Sequence, residues 1–354
     1  MTNNSNSAPR VHIVILNWNG WKDSIECLES VLRLDYQNYQ IVLCDNDSQD
    51  GSVEKILAWA SGELLADAAS EMMAKYSQPP IQKPLGHQVL SADDVSSNRE
   101  VDSSTPLVII RTGGNLGFAG GNNVGMRYAL QQPECDYVWL LNNDTVILPD
   151  TLSHMVNHSR QLLASGVANT CGSVQRYYYF PDKIQALGGF RYNAWTGICT
   201  ATLGMGSSID GEIDHNQYRE QLHAIHGCSW LLPRDFLESI GLMEERYFLY
   251  YEEIDWALRS KDAYTLTYAD QAIVYHKEGG SIGSHSIDRR RGSLMSEFYT
   301  NRNKFKVARK FFPLSIPVVF SFVLLIAFKR LLEGDAKRAW MLTKVAFGKQ
   351  RFNS

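Results

Sequence analysis

Four apolar runs, separated by stretches of helical spacing and polar turns, constrain this chain more than any other feature. Val11-His-Ile-Val-Ile-Leu16 stops at Asn17-Trp-Asn-Gly20, and Tyr39-Gln-Ile-Val-Leu-Cys44 stops at Asp45-Asn-Asp-Ser-Gln-Asp-Gly51. Leu107-Val-Ile-Ile-Arg111 leads into a Gly/Asn-rich segment at 113–125, and Tyr137-Val-Trp-Leu-Leu141 ends at Asn142-Asn-Asp144. Runs this apolar read as strands buried on both faces. Residues 21–33 place Ile25, Leu28, Val31 and Leu32 on one side of a helix. Further helices are expected from Ser52 and over 122–130. Strands alternating with helices predict an α/β fold with a mainly parallel central sheet and flanking helices. Ligands bind such sheets at the carboxyl ends of the strands. Here those ends carry Asn17, Asn19, Asp45, Asp47, Asn115, Asn143 and Asp144.

The rest of the chain departs from this rhythm. Residues 61–106 read as a long insertion or mobile loop, with four prolines in 78–106. Residues 166–225 hold short apolar and aromatic stretches, which predict antiparallel strands or loops shaping an acceptor cleft. Residues 1–10 are polar, predicting a disordered N-terminus and no signal peptide. The six cysteines are scattered without a Cys-x-x-Cys, as free core thiols are, which argues against a structural zinc.

The net charge of −4 hides an asymmetry. Residues 289–354 carry 15 Lys/Arg against 3 Asp/Glu, and the preceding 288 residues carry 19 against 35. A basic tail on an acidic body faces something anionic. The uncharged run 311–328 inside that tail points to an anionic membrane surface rather than nucleic acid. Its 18 residues are at the lower edge of a bilayer span, and Pro313 and Pro317 are expected to break its first half. Lys304, Lys306, Arg309 and Lys310 precede it, and Lys329 and Arg330 follow. An interfacial or re-entrant anchor over 306–354 is the expectation, with a buried helix as the alternative.

Three carboxylates, Glu252, Glu253 and Asp255, fall within four positions of Phe248-Leu-Tyr-Tyr-Glu-Glu-Ile-Asp-Trp256. Carboxylates in an apolar frame are costly to bury, and neighbouring acids push one another's pKa values apart, as a general base requires. The acidic first turn of a helix over Glu252–Ser260 is the plainer reading. Asp144, after Asn142 and Asn143, offers an oxygen ligand for Mg²⁺ or Mn²⁺, which usually share one or two carboxylates with substrate phosphates. A turn would also select these residues. Asp45 suits a base or ribose contact, or a helix N-terminal turn. The glycines of 113–125 exceed what packing alone needs and allow close approach to a phosphate, although neither Gly-x-Gly-x-x-Gly nor a P-loop is present. His276 suits a metal ligand or a hydrogen-bonded core residue.

Asn17-Trp-Asn-Gly20, Asp45-Asn-Asp-Ser-Gln-Asp-Gly-Ser52, Asn115-Leu-Gly-Phe-Ala-Gly-Gly-Asn-Asn123, Leu140-Leu-Asn-Asn-Asp-Thr145, Tyr250-Tyr-Glu-Glu-Ile-Asp-Trp256 and Val274-Tyr-His276 occur in this order. Together, over roughly residues 10–305, they resemble a family 2 glycosyltransferase of the GT-A fold, nearest the rhamnosyltransferase-like branch. The resemblance implies a GT-A domain over 11–305, with a nucleotide-sugar half at 11–150 and an acceptor and catalytic half at 151–305. It implies inverting transfer of one sugar from a dTDP- or UDP-sugar, with dTDP-rhamnose preferred. The acceptor would be a hydroxyl of a glycan, lipid-linked and on the cytoplasmic face of the cell membrane, in cell-surface polysaccharide synthesis. Asn17, Asn19, Asp45, Asp47, Asn115, Gly117, Asn122, Asn143 and Asp144 would contact the nucleotide-sugar, Asp45 holding the base. Asp144 and His276 would hold the divalent metal, and Glu253 would be the base, with Glu252 and Asp255 beside it.

Two positions depart from the family pattern. Asn142 stands where the metal motif often has an Asp, and Glu252-Glu253 stands where it has Glu-Asp. The motif of processive synthases, Gln-x-x-Arg-Trp, is missing, which favours single addition. A sugar nucleotidyltransferase would share a similar sheet but needs a basic Gly-rich loop after the first strand, and 16–24 hold none. A non-catalytic nucleotide-sugar-binding membrane protein would bind donor without releasing sugar. The joint presence of Asp144, Glu253 and His276 argues against that reading.

Overall fold

A computed structural model describes residues 8–99, 101–201, 206–209, 212–277 and 293–352. Most of the expected disordered N-terminus therefore lies outside the described residues. Strands β1 (Val11–Asn17), β2 (Tyr39–Asp45), β3 (His87–Ser91), β4 (Leu107–Arg111) and β5 (Tyr137–Asn142) alternate with α1 (Trp21–Val31), α2 (Ser52–Ser61), α3 (Glu71–Ala74), α4 (Ala92–Ser96) and α5 (Gly117–Gln131). After β6 (Thr145–Ile147) and α6 (Thr151–Ala164) come β7 (Asn169–Tyr177), β8 (Lys183–Leu187), β9 (Gly189–Tyr192), β10 (Cys199–Ala201) and β11 (Ser207–Ser208). Helix α7 (His215–Glu220), β12 (Ala224–Ile225), β13 (Ser229–Pro233), α8 (Arg234–Ile240), α9 (Glu252–Ser260) and β14 (Thr265–His276) follow. The chain closes with α10 (Leu294–Phe311), α11 (Ile316–Leu332) and α12 (Ala336–Ala346).

The main sheet runs β11-β8-β7-β13-β5-β1-β2-β4-β3, with β14 pairing β7 and β6 off this path. Strands β3, β4, β2, β1 and β5 are parallel neighbours. Strand β13 inserts antiparallel between β5 and β7. Both faces are covered, as β1's apolar sequence requires. One face packs Ile25, Leu28, Val53, Ile56, Trp59 and Met155. The other packs Met126, Phe236 and Trp256. All six cysteines are free thiols.

Three expectations change. Helix α5 begins at Gly117, one turn before the expected start at 122. A Cβ on Gly121 would sit 2.4 Å from Leu16 Cδ1, and one on Gly125 2.6 Å from Val14 Cγ1. These glycines let α5 lie against β1, so packing already requires them. Residues 61–106 are more than a loop: β3 adds a parallel edge to β4 in register from His87↔Leu107 to Ser91↔Arg111. The buried Glu29 carboxylate ties this segment down, accepting from Ile81 N (2.8 Å) and pairing with Lys83 Nζ (3.1 Å). In the tail, the break at the prolines is confined to the start of the apolar run: α10 ends at Phe311, and the run is α-helical again from Ile316. Pro313 opens a short 3₁₀ turn and Pro317 lies in the first turn of α11, where no helix donor is lost.

Helices α10, α11 and α12 pack around Phe298, Phe305, Val319, Val323 and Leu342. The outer face of α11 is bare: Leu325 is 64% exposed, Phe328 59% and Leu332 74%. The 20 residues 313–332 are long and apolar enough to cross a membrane, and only 22% of the apolar stretch is buried.

Candidate active site

The strand ends and the C-terminal helices enclose a cavity of about 510 Å³. Asn115, Gly117, Asn143, Asp144, Glu252, Glu253 and His276 all line it, so residues from 115 to 276 converge on one space. Six expected residues, Asp255 among them, are not on its wall. Asn17, Asn19, Asp45 and Asp47 belong to a knot joining two strand-end turns. Asn17 Nδ2 donates to Asp45 Oδ1 (2.8 Å) and to Ser48 Oγ (3.0 Å), and Asn19 Oδ1 accepts from Gln49 N (2.7 Å). Asp47 is exposed with φ 63°. Asn122 is buried, its amide donating to Phe118 O one turn back (3.0 Å). Its place in the fold is inside α5.

His276 Nε2 lies 3.2 Å from Asp144 Oδ1, and its Nδ1 is 3.0 Å from Gln185 Oε1. Gln185 thereby orients the ring. Among the described residues, no cluster of three or more His, Cys, Asp or Glu forms a metal cage. Asp144 and His276 fit a cation that takes its remaining ligands from substrate phosphate and water. Beside them, Asn143 donates to Ser24 Oγ (2.9 Å), which locks its turn onto α1.

At the other end of the cavity, Glu252 is 2% exposed and its Oε2 has no hydrogen-bond partner among the described residues. Burial, and then the neighbouring Glu253, push the Glu252 carboxyl well above its usual range. Burial also raises Glu253, partly countered by backbone hydrogen bonding. A turn missed by sequence reasoning links the two ends. His226 stacks edge-on to His276 with ring centroids 5.8 Å apart, and a Cβ on Gly227 would meet Glu253 Oε1 at 2.7 Å. Burial holds the His226 imidazole neutral, its pKa lowered to about 3. Asn46 was missed as well: its amide contacts Asn115 Oδ1 (3.1 Å) and Leu116 N (3.0 Å), and it lines the cavity. Its signal was present, within the Asp/Asn cluster after β2.

Asp255 has a different environment. It is fully buried, accepting from Arg259 Nε (2.8 Å), Lys310 Nζ (2.6 Å) and Tyr247 Oη (3.1 Å). It ties α9 to α10 through Lys310 and to the preceding turn through Tyr247, and it does not line the cavity. The segment that presents the two glutamates is strained. Phe248, Tyr250 and Tyr251 have φ of 67°, 67° and 74°, a region that side-chain-bearing residues avoid. Two elements hold it there. Phe118 N donates to Phe248 O (2.6 Å), and Gly117 permits that approach, because a Cβ there would lie 2.2 Å from the same oxygen. From α10, Asn303 Nδ2 reaches Leu249 O (2.8 Å) and Tyr250 O (2.7 Å), and Arg302 reaches Tyr247 O (2.6 Å).

Comparison with known proteins places this geometry. The low-salt glycan biosynthesis hexosyltransferase Agl10 of Haloferax volcanii is 25% identical over 269 residues, covering 74% of this chain and 76% of its own. The crystal structure of GalNAc-T7 with UDP, GalNAc and Mn²⁺ superposes with a TM-score of 0.53 at 12% identity, over 86% of this chain and 48% of that one. This chain thus spans about half of that protein's length, and the likeness shows a shared GT-A fold. A mannosyltransferase, PcManGT from Pyrobaculum calidifontis, in complex with GDP-Man and Mn²⁺, aligns over 97% of this chain and 87% of its own at 12% identity, with a TM-score of 0.49. The model of glycosyl transferase family 2 matches residues 12–67 and 84–241, more than half of the chain and including β1 and β5 with their polar ends. By that match, this chain belongs to glycosyl transferase family 2 and is a glycosyltransferase.

Proposed function

We propose that this enzyme transfers a single sugar, with inversion, from a nucleoside diphosphate-sugar to a hydroxyl of a glycan acceptor. One observation carries the reading: the Asp144–His276 pair and the Glu252–Glu253 pair line one cavity at the carboxyl end of the sheet. Glu253 accepts the acceptor hydroxyl proton. The new bond from that oxygen to the anomeric carbon forms as the bond to the diphosphate breaks, and the diphosphate leaves with the electron pair. Burial and the adjacent Glu253 push the Glu252 carboxyl well above its usual range, which favours its protonated form and leaves Glu253 to act as base. Asp144 and His276 would hold Mg²⁺ or Mn²⁺, which when bound offsets the charge of the diphosphate. Asp45, Asp47 and Asn46 would face the base and ribose.

For the donor, the motif set supports rhamnose from dTDP-rhamnose. A UDP-sugar is the second reading, favoured by the fold shared with a protein crystallised with UDP. The bare outer face of α11, flanked by Lys329 and Arg330, supports seating on the cytoplasmic face of a membrane against a lipid-linked acceptor. The deciding experiment incubates the full chain with a panel of nucleotide sugars and measures which nucleoside diphosphate is released. Release of dTDP from dTDP-rhamnose alone is expected, abolished by EDTA and restored by Mn²⁺ or Mg²⁺. Turnover of UDP-sugars alone would shift the donor to the second reading, and full activity in EDTA would remove the metal from it.

A further inference from the structure

Beyond the two carboxylates the cavity runs toward the C-terminal helices, where Lys304 of α10 lines it. No other Lys or Arg lines the cavity among the described residues. Lys304 is 5% exposed, its stem is packed against Gly197, and its ammonium lies 5.1 Å from the Phe322 ring centroid of α11. Its one hydrogen-bond partner among the described residues is Asn301 Oδ1, at 3.2 Å. Among the described residues no carboxylate lies within ion-pair distance of it, whereas Lys277 pairs with both Asp23 and Glu26 at 2.6 Å. A buried ammonium without an ion-pair partner is costly, and a bound anion would offset that cost. Burial lowers the Lys304 pKa to about 8, partly countered by the nearby Cys199 and Glu297.

The position of Lys304 indicates which anion. Asp144 and His276 lie at the strand ends, where the donor diphosphate is proposed to sit. Lys304 lies instead among α10, α11 and the turn before β10, beside the helix whose outer face is apolar. We propose that Lys304 is the anion-binding point of an acceptor subsite and takes a phosphate oxygen of a lipid-phosphate-linked acceptor. The inference rests on the glycosyl transfer proposed above and narrows the acceptor to one with a phosphate close to the reacting hydroxyl. The same chemistry could come from the donor diphosphate, and the test separates the two sources.

Full-length protein and its Lys304→Met and Lys304→Arg variants would be titrated with farnesyl diphosphate, farnesol, UDP and dTDP. Thermal melts would confirm folding; Met matches the length and apolar packing of the lysine stem. The wild type should bind farnesyl diphosphate at least tenfold more tightly than farnesol. Lys304→Met should lose that preference while its nucleoside diphosphate affinity stays within about twofold, and Lys304→Arg should retain it. Equal wild-type affinity for farnesol and farnesyl diphosphate would overturn the proposal. So would a Met variant that loses nucleoside diphosphate affinity instead, since the cation would then serve the donor. Failure of the wild type to bind any nucleoside diphosphate would sink the transferase reading and leave the farnesyl comparison intact as a separate result.

Discussion

Two acids two positions apart on one helix have opposite environments. Asp255 is saturated by Arg259, Lys310 and Tyr247, whereas Glu253 faces the cavity. Glu253→Gln should therefore fold, bind donor and lose about a hundredfold or more in turnover. Asp255→Asn should retain the cavity but lose stability, on the order of 2–3 kcal/mol, because it leaves two cations facing a neutral amide. Turnover assays and denaturant melts on the two variants decide the matter; the reverse pattern would move the base to Asp255. Glu252 adds a pH signature. Its folded pKa is raised, so the folded state keeps a proton that the unfolded state has released above about 4.5. Stability should then fall as pH rises from that value through the folded pKa. Glu252→Gln should flatten the decline, matching wild type at pH 4 and melting higher at pH 8. Parallel melting curves across that range would refute the assignment. Local sequence showed these acids and Asp144 because each sits in a conspicuous polar cluster. It did not show His226, Gln185 or Lys304, since what makes them site residues is contact with chain that is distant in sequence.

At the level of elements, the strained segment before α9 depends on α10. Each left-handed non-glycine residue costs on the order of 1–3 kcal/mol, and Asn303 holds the segment by its carbonyls. Asn303→Ala should lower kcat at least tenfold by releasing the two glutamates, while nucleoside diphosphate affinity, proposed to be set at the strand ends, changes less than about twofold. An equal loss in both, or in neither, would show that the clamp does not position the carboxylates. The buried strands were readable from their unbroken apolar runs. The start of α5 was not, because glycine is scored as a loop residue by propensity, and only the closeness of Leu16 and Val14 shows why a helix needs it there. Strand β3 was equally hidden. His87-Gln-Val-Leu-Ser91 is short and mostly polar, as suits an edge, and its partner defines it.

For the whole molecule, the acidic body and basic tail seen in composition correspond to a sheet-built site and a three-helix cap with an apolar exterior. If that exterior rests on lipid, wild type should float with vesicles containing anionic headgroups. A triple variant, Leu325→Glu, Phe328→Glu and Leu332→Glu, should remain in the soluble fraction with an unchanged melting temperature. Wild type that stays off the vesicles and is monodisperse without detergent would count against membrane seating. The length of α11 was legible in sequence, but its amphipathic placement was not, because the buried stripe of Val319 and Val323 is defined by Phe298, Phe305 and Leu342. Helix α10 also has a practical consequence for making the protein. The same rod that grips the loop before α9 is covered by α11 and α12, and Arg302 reaches Gln350 O near the chain's end (3.0 Å). Cutting the chain after residue 310 would bare Phe298 and Phe305 and slacken the grip on the glutamates. A detergent-free preparation should therefore come from repainting the outside of α11 rather than from deleting it.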